Sequence, residues 1–192
     1  MTVWALIPAY QAQDTVGDVV RSVRAFVPEA LVVDDGSAHH TSRAARASGA
    51  QVMGFERNRG KGAALRAGFA EGLRRGVSRV VTLDGDGQHD PDDIPRLLKV
   101  AVEEPRSLVI GGRLGGLAAY PERAMPADRL AALRVAGFFI NWPTGMAVAD
   151  PQSGFRVYPA ALFATAPPRR GAFVLESEML LRAAAHGFDI VE

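Results

Sequence analysis

No cysteine occurs in the 192 residues. That excludes a disulfide framework, a thiolate metal site and a cysteine nucleophile, and it is in keeping with a reducing cytosol. Net charge is nearly as scarce. Twenty-two Lys and Arg stand against 21 Asp and Glu, leaving +1 at pH 7. A chain so balanced exerts no general pull on nucleic acid, so binding must come from local sites. No run of about 18 apolar residues is present to cross a bilayer. The start, MTVWALIPAY, lacks a basic segment and meets Pro8 after a short apolar run, so it reads as a first strand and not a signal peptide. Repeats and low-complexity tracts are missing too. What remains is an ordinary composition, 48% hydrophobic and 22% charged, long enough for one well-cored domain. The expectation is a cytoplasmic protein, soluble or peripheral on the cytoplasmic membrane face.

Strand-like and helix-like segments alternate along the chain. Residues 3–9 (VWALIPA) read as a buried strand, and Val16, Val19, Val20 and Val23 recur at helical spacing within 15–26. A strand over 30–37 ends in an Asp-Gly turn, a short helix follows, and further strands are expected at 50–56, 78–84 and 106–113. Helices are expected over 60–76, 91–104 and 127–142. This alternation predicts an α/β domain with a mainly parallel central sheet flanked by helices. The chain stops at GFDIVE as a new strand begins, and a domain rarely ends mid-strand. One domain over 1–192, truncated at its C-terminus, is therefore expected.

Ligands of such sheets bind beyond the carboxyl ends of the strands. The polar clusters Pro8-Ala9-Tyr10, Asp34-Asp35, Asp84-Gly85-Asp86 and Gly111-Gly112-Arg113 all fall at those ends. On an extended strand residues i and i+2 face the same way, so Asp84 and Asp86 can present two carboxylates to one point, with glycines leaving room for a ligand. Hard divalent cations that carry phosphates take such pairs. The same residues also suit an Asp-Gly turn. An EF-hand is excluded, because His89 and Pro95 stand at its sixth and twelfth positions. The segment 58–68, NRGKGAALRAG, is no phosphate loop: Gly62 follows Lys61 where Ser or Thr is required, and Leu65 replaces the third glycine of a dinucleotide fingerprint. It remains a helix N-terminus with a lysine, a suitable anion site. His39, His40 and His186 read as loop or helix-face residues, and His89 as secondary to the acids beside it. Arg156 in DPQSGFRVYP could equally be a solvated surface residue.

Taken in order, IPAYQ, VVDDGS, NRGKGAALRAGF, LDGDGQHDP, GGR and DPQSGFRVYP, followed by the acids Glu176 and Glu178, resemble the family-2 glycosyltransferases. They are most similar to the dolichol- and polyprenyl-phosphate mannose or glucose synthase branch. The resemblance implies a GT-A fold, a GDP- or UDP-sugar donor and a Mg²⁺ or Mn²⁺ ion. It marks Asp84, Asp86 and Gln88 as the metal set. The nucleotide-sugar is assigned to Pro8, Ala9, Tyr10, Asp34 and Asp35, with Lys61, Asp84, Gly85 and Asp86 completing the contact. Arg113 and Arg156 match arginines that handle phosphates and count, with Asp86 and Asp150, as the catalytic candidates. One departure stands out. The family pattern P-x-Y-N-E is broken by Gln11 and Ala12, and the absent carboxylate bears on which nucleoside is recognised. Residues 114–142 correspond to the variable acceptor region.

The implied reaction is an inverting transfer to a polyprenyl-type phosphate, whose oxygen is already ionised and requires no base. A sugar hydroxyl acceptor would need one, and Asp150 is the candidate. A sugar-activating nucleotidyltransferase would show a glycine-rich basic N-terminal loop, which IPAYQAQD is not. A degenerate nucleotide-binding module is the non-enzymatic alternative. Within 127–142, Leu130, Leu133, Ala136, Gly137 and Ile140 trace an apolar face widened by Phe138 and Phe139, beside Asp128, Arg129 and Arg134. This helix either lies on a membrane headgroup boundary or packs on the sheet.

Overall fold

The computed structural model describes residues 2–38, 40–112, 127–169 and 175–192. His39, Arg113 and the side chains of Asp128 and Arg129, named above, lie outside the described residues. Seven strands form one sheet in the order β3-β2-β1-β4-β6-β5-β7. They are β1 (Val3–Ala9), β2 (Ala30–Asp34), β3 (Gln51–Gly54), β4 (Arg79–Thr82), β5 (Ser107–Ile110), β6 (Arg156–Pro159) and β7 (Asp189–Val191). β1 pairs in parallel with β2 and β4, and β2 with β3. β6 runs antiparallel to both β4 and β5, while β7 returns parallel to β5 at the edge. The expected mainly parallel sheet is thus present, with one reversed strand inserted beside its centre.

The strands are apolar on both faces because helices cover both, as in any α/β layer structure. Alternate residues divide cleanly. Trp4, Leu6, Leu31, Val33 and Tyr158 pack against α3 (Lys61–Arg74), α6 (Ala160–Thr165) and α7 (Leu175–Ala185). Ala5, Ile7, Val32, Val81 and Val157 pack against α1 (Val16–Arg24), α2 (His40–Ala47) and α4 (Ile94–Glu103). The valines read at helical spacing in α1 are all buried. Gly68 lets α3 lie close on β1: a Cβ there would overlap the Leu6 side chain. That close contact fixes the N-terminus of α3, and with it Lys61, above the end of β1.

The helix expected at 127–142 is α5 (Ala127–Thr144), which runs through Pro143. Its two faces have different surroundings. Leu133, Gly137 and Ile140 are buried, so that stripe packs inward. Val135, Phe138, Phe139 and Trp142 point outward, the three aromatics being 60%, 65% and 79% exposed. The expected apolar face was therefore drawn about the core-facing stripe, whereas the exposed one is centred on the aromatics. After the helix, Asn141 binds both the N–H and the carbonyl of Val148 at 3.0 and 2.9 Å. This clasp leads the chain directly into residues 150–154.

Candidate active site

Three neighbouring strands, β2, β1 and β4, end on the same side of the sheet, and their following residues surround one open pocket of about 560 Å³, within the range of small-molecule sites. Pro8, Ala9 and Tyr10 come from β1, Asp35 from β2, and Asp84, Gly85, Asp86, Gln88 and His89 from the turn after β4. Gly60 and Lys61 enter at the start of α3, Gln152 and Gly154 from the loop before β6, and Glu176 from the first turn of α7. Every residue expected to touch the nucleotide-sugar lines this pocket except Asp34.

Asp34 is buried beneath it. Its carboxylate accepts from the Ser37 N–H at 3.0 Å and the Ser42 hydroxyl at 2.5 Å, so it ties α2 to the end of β2 and does not face the pocket. Asp35, its neighbour, does face it while accepting from the backbone N–H groups of Arg59 and Gly60 at 2.7 and 2.8 Å. Those two bonds anchor the loop that delivers Lys61. Tyr10 is 48% exposed, its ring open to a ligand. Gln11 beside it has φ +50, an unusual conformation for a glutamine, held by its N–H on Ser37 Oγ at 2.8 Å.

The expected geometry of the two acids needs correction. β4 ends at Thr82, so Asp84 and Asp86 sit in a turn and not on an extended strand. Asp86 Oδ1 accepts from the Gln88 N–H at 3.0 Å, and its side chain is otherwise open to the pocket. Asp84 lies deeper. Lys61 Nζ stands 2.6 Å from Asp84 Oδ1 and 2.8 Å from Glu176 Oε1, and His89 Nε2 is 3.7 Å from Asp84 Oδ2. Burial by itself would raise the Asp84 carboxyl, but His89 and Lys61 outweigh it and hold that group well below the usual carboxylate range. Burial likewise pulls the Lys61 ammonium down, yet Asp84 and Glu176 together bring it above its ordinary value. Lys61 therefore keeps its positive charge between two anions.

Two catalytic candidates are placed elsewhere. Arg156, on β6, is completely buried. Its guanidinium donates to the carbonyls of Ser153, Glu176 and Pro151 at 2.7, 2.8 and 2.6 Å. It cannot hand a phosphate anything from there; it braces the 150–154 loop against the start of α7, and so sets Gln152, Gly154 and Glu176. Asp150 is also completely buried and does not line the pocket, while the Glu192 carboxylate caps its N–H at 2.8 Å. Glu178 turns away to accept from Arg182 Nε at 2.7 Å. The reading of the sequence left Glu176, Gln152 and Gly154 without pocket roles. Only the acid in the first turn of α7 was a signal, and the contact partner of Glu176 lies 115 positions earlier.

Among the described residues no three His, Cys, Asp or Glu side chains gather into a metal cage. The donor set suits Mg²⁺ or Mn²⁺ all the same, because Asp84, Asp86 and Gln88 offer hard oxygens at one side of the pocket, and such ions complete their shell with phosphate oxygens and water. The positive charge beside Asp84 is the Lys61 ammonium, at 2.6 Å.

The glycosyl transferase family 2 profile matches residues 4–164. The chain is 32% identical over 201 residues to polyprenol monophosphomannose synthase of Mycolicibacterium smegmatis, covering 97% of this chain and 74% of that protein. It is 30% identical over 220 residues to undecaprenyl-phosphate mannosyltransferase of Micrococcus luteus, covering 100% and 82%. Among solved structures it is similar to glucosyl-3-phosphoglycerate synthase from Mycobacterium tuberculosis in complex with Mn²⁺, UDP and glucosyl-3-phosphoglycerate. The TM-score there is 0.70 and the identity 26%, over 99% of this chain and 69% of that one.

Proposed function

Because the chain belongs to glycosyl transferase family 2 and its helix-covered sheet is a GT-A fold, we propose that it transfers a sugar from a GDP- or UDP-sugar to a polyprenyl phosphate with inversion at the anomeric carbon. The observation that carries this reading is the meeting of Tyr10, Asp35, Lys61, Asp84 and Asp86 around one pocket at the ends of adjacent parallel strands. Tyr10 offers a ring face to the nucleobase. Lys61 faces the diphosphate. Asp84, Asp86 and Gln88 would hold Mg²⁺ or Mn²⁺, which when bound supplies Lewis-acid stabilisation of the leaving diphosphate.

In the transfer, an acceptor phosphate oxygen forms a bond to the anomeric carbon as the bond from that carbon to the nucleoside diphosphate breaks. The electron pair leaves with the diphosphate, where Lys61 meets the growing charge. A phosphate monoester is largely ionised at neutral pH, so this step asks no side chain to take a proton. The burial of Asp150, the base that a hydroxyl acceptor would call for, favours the phosphate acceptor. The carrier named in both mannosyl-transferring relatives agrees with it.

A lipid acceptor places the reaction at a membrane surface. Among the described residues no helix is long and apolar enough to cross one. The exposed Phe138, Phe139 and Trp142 of α5, one clasped loop away from the pocket, suit peripheral contact on the cytoplasmic face, with the aromatics at the headgroup level. The reading is tested by thermal shift with Mn²⁺ across GDP- and UDP-sugars. One nucleotide series should raise the melting temperature by mass action, and only when Mn²⁺ is present. No shift with either series would sink it.

A further inference from the structure

We propose that Lys61 is the resident counter-cation of the metal subsite and that Glu176 is the seat to which it withdraws when a divalent ion takes Asp84. The proposal rests on the metal-dependent reading above and adds to it an order of events: the pocket accepts the ion together with a diphosphate in preference to the ion alone.

The geometry is specific. Lys61 Nζ is within ion-pair distance of both Asp84 and Glu176, at 2.6 and 2.8 Å. Both carboxylates are fixed. Asp84 is backed by Gly154, where a Cβ would stand 2.6 Å from Oδ2, and by His89 on the same side. The Glu176 side chain is only 8% exposed, and its backbone is pinned by Arg156, which donates to its carbonyl at 2.8 Å. The lysine is the movable partner, a point charge on a flexible four-carbon stem. A divalent ion bound by Asp84 would face that ammonium at close range in a partly desolvated pocket, where like charges repel strongly. A nucleoside diphosphate arriving with the ion changes the balance, since it brings negative charge that both cations can share. Lys61 then keeps Glu176 and turns toward the phosphates.

Two substitutions separate this from a merely structural role, because they shift metal affinity in opposite directions. Mn²⁺ binding is measured on the purified chain by electron paramagnetic resonance of free Mn²⁺, without nucleotide and then with GDP or UDP. Far-UV circular dichroism checks the fold. Lys61→Met, which removes the competing charge, should bind Mn²⁺ about tenfold tighter without nucleotide, and nucleotide should then raise its affinity less than it does in the wild type; tenfold corresponds to about 1.4 kcal/mol. Lys61→Gln serves the same purpose if the methionine variant does not fold. Glu176→Gln removes the second seat and should weaken Mn²⁺ binding several-fold by leaving the ammonium on Asp84. Mn²⁺ binding that is unchanged or weaker in the Lys61 variants, while the wild type binds Mn²⁺ with nucleotide, overturns the role given to Lys61 and leaves the metal reading standing. Failure of the wild type to bind Mn²⁺ even with GDP or UDP overturns both.

Discussion

Gly154 is the wall against which Asp84 rests: an added Cβ would lie 2.6 Å from Asp84 Oδ2 and 2.8 Å from Oδ1. The contact explains why a loop from beyond residue 150 is part of a site whose acids lie in the turn after β4. Thr82 secures the approach, its hydroxyl donating to the Gly154 carbonyl at 2.7 Å. Gly154→Ala should therefore displace the carboxylate more than it disturbs the fold. We expect donor turnover to fall at least about tenfold, a loss of 1.4 kcal/mol or more in the transition state, with a melting temperature lowered by only a few degrees. Kinetics and a thermal melt on the same preparation check this. An unchanged rate would mean that the position of Asp84 does not matter to the chemistry.

Arg156 gives a prediction of opposite character. Its three carbonyl partners are buried with it, and removing a charged donor strands them without water. Arg156→Met should cost about 3 kcal/mol or more of stability by urea denaturation. A variant with wild-type stability and selectively impaired phosphate binding would restore the direct role that its position argues against.

How far the sequence carried the reading is clearest at these two residues. Strand ends were legible because burial on both faces writes unbroken apolar runs, and the clustering of polar residues after them located the pocket. Arg156 was not, because one line of sequence shows a charge and not its surroundings; only β6 reversing between β4 and β5 encloses it. The Lys61–Glu176 pair was out of reach for a related reason. It joins the starts of α3 and α7, and no local period links them. On α5, spacing marked an apolar helix correctly, but apolar residues lie on two faces and periodicity alone does not say which one turns inward against α7.

That division of α5 can be tested. Replacing Phe138, Phe139 and Trp142 together by Ser should leave the fold intact, since all three are exposed, and abolish flotation with anionic liposomes. Leu133→Ala on the opposite face should instead cost about 2–5 kcal/mol of stability and leave flotation of the folded fraction unchanged. Equal flotation by the triple variant and the wild type would remove the membrane role from this helix.

Acid should weaken the site in a defined direction. The Asp84 carboxyl is held below its ordinary value of 3.8, so the folded state favours its ionised form. The corresponding stability is complete above about pH 4 and is lost as the pH falls through the depressed value in the fold. In EDTA, the stability difference between the wild type and Asp84→Asn should shrink steadily as the pH is lowered below 4, measured by chemical denaturation. A difference that is independent of pH there would contradict the ion pairing around Asp84.

The central claim, a metal-dependent transfer organised by the acids after β4, is tested most directly by radiolabel transfer from GDP- and UDP-sugars to a polyprenyl phosphate in Mn²⁺, comparing the wild type with Asp86→Ala. Among the described residues Asp86 bonds only the Gln88 N–H, so its loss should change stability by less than about 1 kcal/mol. The account predicts label in the lipid fraction with one nucleotide series, abolished by EDTA and absent from the folded variant. Transfer that persists in EDTA and at full rate in Asp86→Ala would contradict it.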